Sequence, residues 1–168
     1  MSAYSRPRPI QADDDLASFD CGEPSLNEYL RNRAYKNDQG AASRCYVTLR
    51  EGRVVGYYAL AMASIAHASA PGKVRRNMPD PIPAILLSRL ATDRKEQGQG
   101  LGANLLRDAI TKAVEASQIV AARCLLVHAL NDDAAAFYAH FDFIESPTDP
   151  YHLLLPMKDA EALVHRPA

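Results

Sequence analysis

Gln97-Gly98-Gln99-Gly100-Leu101-Gly102 sets three glycines at alternate positions between an apolar run, Ala84 to Thr92, and a stretch of helical periodicity that starts at Leu101. Glycine adopts positive φ without a Cβ clash and lets the backbone come close to a ligand. Successive N–H groups in such a turn converge on an anion, and a helix that starts there adds a favourable dipole. Arg94 and Lys95 bring positive charge to the approach. The segment reads as a phosphate-holding loop, fed by a central strand and followed by a helix whose residues Leu101, Leu105, Ala109 and Lys112/Ala113 recur at helical spacing.

Two familiar phosphate loops fail to fit. A nucleoside triphosphate loop of the Walker type ends Gly-Lys-Ser/Thr, whereas this one ends Gly102-Ala103-Asn104. The dinucleotide fingerprint is closer, since Gly98, Gly100 and Ala103 satisfy its glycine pattern. Its first glycine should follow the strand directly, but Asp93 to Gln97 intervene. The ribose-binding acid expected about 20 residues on would fall near Gln118, where there is no Asp or Glu.

Outward from the loop, Arg123 to Ala129 is a second apolar run, read as a buried strand. Asn131-Asp132-Asp133 is a helix start: an Asn cap, then two acids at the positive end of the dipole. That helix continues from Ala134 to His140, and two more strands are predicted around Phe143-Ile144 and His152 to Met157. Upstream, Cys45 to Leu49 alternates like a strand, Glu51-Gly52 is a tight turn, and Val54 to Ile65 is β-rich, which predicts a hairpin. Phe19 to Gly22 reads as a turn. A helix is predicted through Leu26, Tyr29, Leu30 and Arg33, started by Glu23 or Ser25. Asp13 to Leu16 is expected to start a short acidic helix, and Pro71 to Pro83 to be a loop with a basic tip at Lys73, Arg75 and Arg76. The predicted architecture is α/β: one domain over residues 1–168, core about 10–158, with a mixed central sheet flanked by helices.

Bulk properties narrow the setting. The chain has 168 residues, 48% of them apolar, enough for a real core. No apolar run approaches the ~20 residues that span a bilayer, and Met1 to Ile10 lacks the apolar stretch of a signal peptide. Cys21, Cys45 and Cys124 are few, odd in number and far apart, which argues against a disulfide scaffold or a Cys-rich metal site and predicts reduced thiols in a cytoplasmic protein. The net charge is −1, but fifteen Lys/Arg stand against seven Asp/Glu between Arg31 and Arg123, with four against thirteen elsewhere. An anionic partner would sit on that basic middle, the same segment that holds the glycine loop.

The loop and its context resemble the GNAT N-acetyltransferases, whose CoA motif Gln/Arg-x-x-Gly-x-Gly/Ala matches Gln97-x-x-Gly100-x-Gly102. The strand end Arg89-Leu90-Ala91-Thr92 and the later Asn131-Asp132-Asp133-Ala134-Ala135-Ala136-Phe137-Tyr138 are similar to that family too. The resemblance implies a sheet with splayed central strands and acetyl-CoA as co-substrate, with no metal. It implies donor contacts from Leu90, Ala91, Thr92, Gln97, Gly98, Gln99, Gly100, Leu101, Gly102, Asn131 and Phe137. It makes Tyr138 the general acid for the leaving thiolate. The family usually carries Gly-Phe after this helix, where Asp142-Phe143 stands here. Asp enters the left-handed conformation less easily than Gly.

The acceptor is less directly legible. No general base stands out: Glu51, Glu96 and Glu115 read as turn or helix-face residues, and His67 and His128 are isolated. A lysine amine at pKa ~10.4 is less than ~0.1% neutral at pH 7, whereas an α-amine at ~7.7–8.0 is roughly 10–20% neutral and needs little help. Phe19-Asp20-Cys21-Gly22, Leu26-Asn27-Glu28-Tyr29-Leu30, Val55-Gly56-Tyr57-Tyr58-Ala59-Leu60 and Ile82-Pro83 resemble one GNAT branch. Its members are toxins of toxin–antitoxin pairs that acetylate the α-amine of aminoacyl-tRNA. That resemblance implies a ribbon-helix-helix antitoxin, operator DNA reached through it, and a homodimer. Lys36, Arg44, Lys73, Arg75, Arg76 and Arg89 are the candidates for the RNA face. A GNAT enzyme for a small amine or a protein N-terminus, and a non-catalytic CoA-binding regulator, remain as alternatives.

Overall fold

A computed structural model describes residues 3–165. Its seven strands are β1 (Arg8–Pro9), β2 (Arg44–Arg50), β3 (Arg53–Ile65), β4 (Ile82–Thr92), β5 (Cys124–His128), β6 (Ile144–Ser146) and β7 (Asp149–Pro156). The helices are α1 (Pro24–Asn32), α2 (Ala34–Gln39), α3 (Gly72–Arg75), α4 (Leu101–Ser117), α5 (Asp132–His140) and α6 (Met157–Val164). The strand order is β1-β2-β3-β4-β5-β7-β6, with β4 and β5 parallel and the pairs β1–β2, β2–β3, β5–β7 and β6–β7 antiparallel. This is the mixed α/β sheet expected. The parallel ladder runs from Ala84↔Cys124 to Leu87↔Val127, and β4 continues beyond it to Thr92.

The chain forms two compact units. The first comprises the chain up to Ala61 together with Ser88–Ala109. Its core joins Phe19, Tyr29, Leu30, Val47, Val54, Tyr57 and Ala91. Tyr57 meets Phe19 edge-on at 5.7 Å and lies 6.4 Å from Tyr29, and its hydroxyl donates to Leu26 O at 2.7 Å. A buried tyrosine is thereby satisfied at its polar end. The β2–β3 hairpin turns at Glu51 and Gly52, both at positive φ (53° and 77°), as a tight two-residue hairpin turn requires.

The second unit comprises Met62–Leu87 and the chain from Ile110 onward. Ile65, Val74, Ile82, Ala84, Cys124, Leu126 and Leu154 form its core. Asn131 caps α5, its side chain accepting from Ala134 N at 2.9 Å. At the other end Asp142 takes φ 72°. Asp142 N donates to Ala139 O at 3.1 Å and Phe143 N to Tyr138 O at 3.3 Å. The Phe143 and Tyr138 rings lie 5.4 Å apart. This is a complete Schellman ending with Asp in the glycine position.

Three expectations are corrected. Asp13 to Leu16 is not helical: Arg8 and Gln11 N take the Asp14 carboxylate, and the Asp15 carboxylate accepts from Ala17 N at 3.3 Å. Short acidic side chains that bond to nearby backbone favour turns over helix. The basic tip of the Pro71 to Pro83 segment is the short helix α3, and β4 begins at Ile82 rather than Ala84, taking in Pro83. Glu96 does sit in a turn, the short 3-10 segment after β4, and is buried there. The two-residue strand β1 and the helix α6 are elements beyond those predicted from the sequence.

Candidate active site

The glycine loop is built within the first unit. Strand β4 delivers Leu90, Ala91 and Thr92, with Ala91 buried in the core and its neighbours half-buried. A short 3-10 turn, Arg94–Glu96, follows, and Asp93 caps it by accepting from Lys95 N at 2.9 Å. Gln97 turns its amide back, 3.3 Å from Thr92 O and 3.4 Å from Cys21 O. Gly98 and Gly100 take φ 83° and 79°, the left-handed region that favours glycine. A Cβ at either position would meet nothing within 4 Å, so the space beside the loop is open. Leu101 is buried and anchors the first turn of α4, whose N–H groups are those a helix leaves unpaired. Gln97 to Gly102 thus fits a pyrophosphate: positive-φ glycines, open surface and a long helix beginning at the loop.

Asn131, Phe137 and Tyr138 belong to the second unit, on and before α5. Phe137 is half-buried and packs edge-on against Tyr138 at 5.3 Å and Phe141 at 5.2 Å. Tyr138 is 7% exposed, and burial pushes its phenol above the usual tyrosine range. A phenol so placed stays protonated at neutral pH. It can give up that proton only as negative charge builds on the group it faces.

Neither histidine candidate is isolated. His67 Nε2 donates to the carbonyls of Met78 and Pro79, both at 2.8 Å, which ties it to the backbone. His128 sits opposite His152 in the β5–β7 register, and their rings stack at 4.1 Å. Burial first and His152 second lower the His128 pKa, which favours the neutral ring. Among the described residues no three His, Cys, Asp or Glu converge as a metal site, and no helix is long and apolar enough to cross a membrane.

The six basic candidates divide between the units. Lys36 on α2 and Arg44 on β2 are exposed, with Arg44 3.6 Å from Asp38. Arg89 is half-buried, its guanidinium 3.7 Å over the Tyr29 ring. In the second unit Lys73, Arg75 and Arg76 lie on or beside α3, all exposed, with Lys73 2.9 Å from Asp159.

The family model of the acetyltransferase (GNAT) domain matches residues 41–145. The chain belongs to the GNAT acetyltransferases. It is 65% identical to a tRNA-acetylating toxin of Mycobacterium tuberculosis, over 98% of this chain and 99% of that protein. Among solved structures it is similar to AtaT complexed with acetyl-methionyl-tRNAfMet, with 33% identity, TM-score 0.88 and 95% and 98% of the two chains covered. It is also similar to a tyrosine-to-phenylalanine mutant of the AtaT toxin bound to the C-terminus of the antitoxin AtaR and acetyl-CoA. There the identity is 32%, the TM-score 0.84 and the coverage 98% and 100%.

This GNAT chain also holds site-building residues that sequence reasoning missed. Asp20, Asn27, Arg50, Asp93 and Glu96, with Tyr4, surround the linker between β4 and the glycine loop. One signal was available: Asp directly after a strand and two residues before Lys95 is a turn-capping pattern. Asp20 and Asn27 stand in the stretches that resemble the toxin branch, whereas Tyr4 and Arg50 carry no local signal.

Proposed function

We propose that this GNAT enzyme is a toxin that moves the acetyl group of acetyl-CoA onto the α-amine of aminoacyl-tRNA and so stops translation. The observation that carries the reading is 65% identity to a tRNA-acetylating toxin over 98% of this chain. The single acetyltransferase domain would span residues 1–168.

Acetyl-CoA supplies an activated thioester. The backbone N–H groups of Gln97 to Gly102 bind its pyrophosphate, and Leu90, Ala91 and Thr92 bind and polarise the acyl end through β4 backbone groups. Asn131 and Phe137 line the pantetheine arm. Tyr138 protonates the departing thiolate; burial keeps its phenol protonated, and the proton is passed in concert with C–S cleavage as charge builds on sulfur. The α-amine is appreciably neutral at pH 7 and attacks without a strong base. The RNA is held by phosphate contacts from Lys36, Arg44, Arg75 and Arg76, with Lys73 joining once it leaves Asp159. Arg89, whose guanidinium lies over the Tyr29 ring, is the sixth candidate for the RNA face. The partner is a ribbon-helix-helix antitoxin that brings operator DNA, the enzyme acts in the cytoplasm, and it works as a homodimer.

Incubating the purified protein with labelled acetyl-CoA and total charged tRNA tests this. Label is expected in a tRNA fraction and released by mild alkali, which cleaves the aminoacyl ester. Label confined to small amines or protein N-termini would replace the tRNA reading with a different GNAT acceptor. CoA binding without transfer to any amine pool would make the chain a regulator.

A further inference from the structure

The linker between β4 and the glycine loop is braced at nearly every residue by segments distant in sequence. Asp93 N donates to Val55 O at 2.8 Å, and Asp93 Oδ2 accepts from Asp20 N at 3.1 Å. Arg94 N donates to Asp20 O at 2.8 Å, and its guanidinium lies 3.1 Å from Asp20 Oδ2. Asp20 Oδ1 accepts from Gly22 N at 2.9 Å and Asn27 Nδ2 at 3.0 Å, while Asn27 Oδ1 accepts from Cys21 N at 2.9 Å. On the other side Glu96 accepts from Arg50 at 2.7 Å. The Tyr4 hydroxyl stands 2.9 Å from Glu96 Oε1 and 3.0 Å from Gln99 Oε1, inside the glycine loop itself.

Two facts lift this above ordinary loop packing. Asp93 and Glu96 are each 3% exposed and Asn27 is 8% exposed, so half of the six buried polar residues among those described lie in this one network. Buried carboxylates are costly unless fully hydrogen-bonded, and a linker needing only to connect a strand to a helix has no use for them. Tyr4, Asp20, Cys21 and Asn27 also precede residue 41, where the match to the acetyltransferase domain begins. The network ties this N-terminal segment to Asp93 and Glu96 inside the matched stretch.

We propose that Asp93, Asp20, Asn27 and Tyr4 are positioning residues for the donor, through which the N-terminal segment presets the glycine loop for a CoA pyrophosphate. A loop already fixed in its binding geometry loses little conformational entropy when the ligand arrives, and the affinity gain falls on the donor alone. The inference rests on Gln97 to Gly102 being the donor loop.

The test compares wild type, Asp93→Asn and Tyr4→Phe. Asp93→Asn keeps the shape but sets an NH2 against an N–H donor. Tyr4→Phe removes one hydroxyl from the surface arm and leaves the fold intact even if Asp93→Asn does not. Calorimetric titration with CoA and steady-state kinetics with acetyl-CoA are measured for each. Asp93→Asn is expected to weaken CoA binding and raise KM for acetyl-CoA about tenfold, and Tyr4→Phe about threefold. In both, kcat at saturating donor and KM for the acceptor should stay within about twofold. Variants that bind CoA as wild type does, with only a lowered Tm, would overturn the proposal and make the network purely structural. A parallel fall in kcat with unchanged KM would overturn it too. Failure of wild type itself to bind CoA would remove the donor-loop reading beneath it.

Discussion

At the scale of single residues, α5 and its C-terminal end set the proposed proton donor Tyr138 four residues from the strained Asp142. Burial pushes the Tyr138 phenol upward, so it remains protonated across the working range. The rise of kcat/KM with pH should therefore follow deprotonation of the acceptor amine near ~8, with no alkaline fall up to pH 9. Replacing the phenol with Phe removes the proton and little volume. Tyr138→Phe is expected to cut kcat about 100-fold in single-turnover acetyl transfer and leave CoA binding within threefold. A drop below fivefold would take the general-acid role from Tyr138. Four residues on, Asp142 holds φ 72° in a Schellman ending made for glycine. An L-residue there costs about 1–2 kcal/mol, less for Asp than for most. Asp142→Gly is expected to stabilise the protein by about 0.5–1 kcal/mol, raising Tm by roughly 1–4 °C in a thermal melt. The Asp–Phe departure from the usual Gly–Phe pair was legible in the sequence as a possible left-handed residue. The sequence could not reveal that both hydrogen bonds of the motif would survive it.

At the scale of elements, legibility followed locality. The hairpin at Glu51-Gly52, the long helix after the glycine loop and the Asn131 cap were readable because each signal lies within a few residues of its effect. The acidic run at Asp13 to Leu16 looks like a helix start by composition, but the Asp14 side chain is committed to Arg8 and Gln11 N. Strand β1 is two residues long and exists only because β2 offers Tyr46 and Val47 as partners. Gly56 on β3 belongs to the same non-local class. A Cβ there would stand 2.9 Å from Leu105 Cδ1 on α4 and 3.0 Å from Thr48 Cγ2 on β2. Leu105 and Thr48 are each 1% exposed, so neither side chain can retreat to solvent. The glycine is thus a contact point where α4 settles on the sheet. Gly56→Ala is expected to cost about 1–3 kcal/mol, read as a lowered urea midpoint with unchanged m-value. An alanine variant as stable as wild type would mean that α4 shifts freely over β3.

At the scale of the whole molecule, net charge conceals what the charge distribution reveals. A chain of net charge −1 is a poor candidate for a polyanion partner until the basic stretch from Arg31 to Arg123 is separated from its acidic ends. That separation is visible in the sequence, and so is the glycine loop before α4. Which cations are available was not visible, because availability is set by tertiary partners. Arg89 is occupied by Tyr29, Lys73 by Asp159 and Arg50 by Glu96, whereas Arg75 and Arg76 are exposed at the end of α3. The consequence is measurable as a salt effect. Each phosphate neutralised by a protein cation releases a counterion, so a few such contacts make affinity fall steeply with salt. KM for charged tRNA is expected to rise at least about tenfold between 50 and 200 mM salt. KM for acetyl-CoA should rise far less if, as proposed, backbone N–H groups of the glycine loop hold its pyrophosphate. Arg75→Ala and Arg76→Ala should each lower the slope of log KM against log salt by about one, with kcat unchanged at saturating tRNA. A salt-independent KM for tRNA would mean that the acceptor is recognised at its aminoacyl end alone. Arg75 and Arg76 would then be free to serve the antitoxin rather than the RNA.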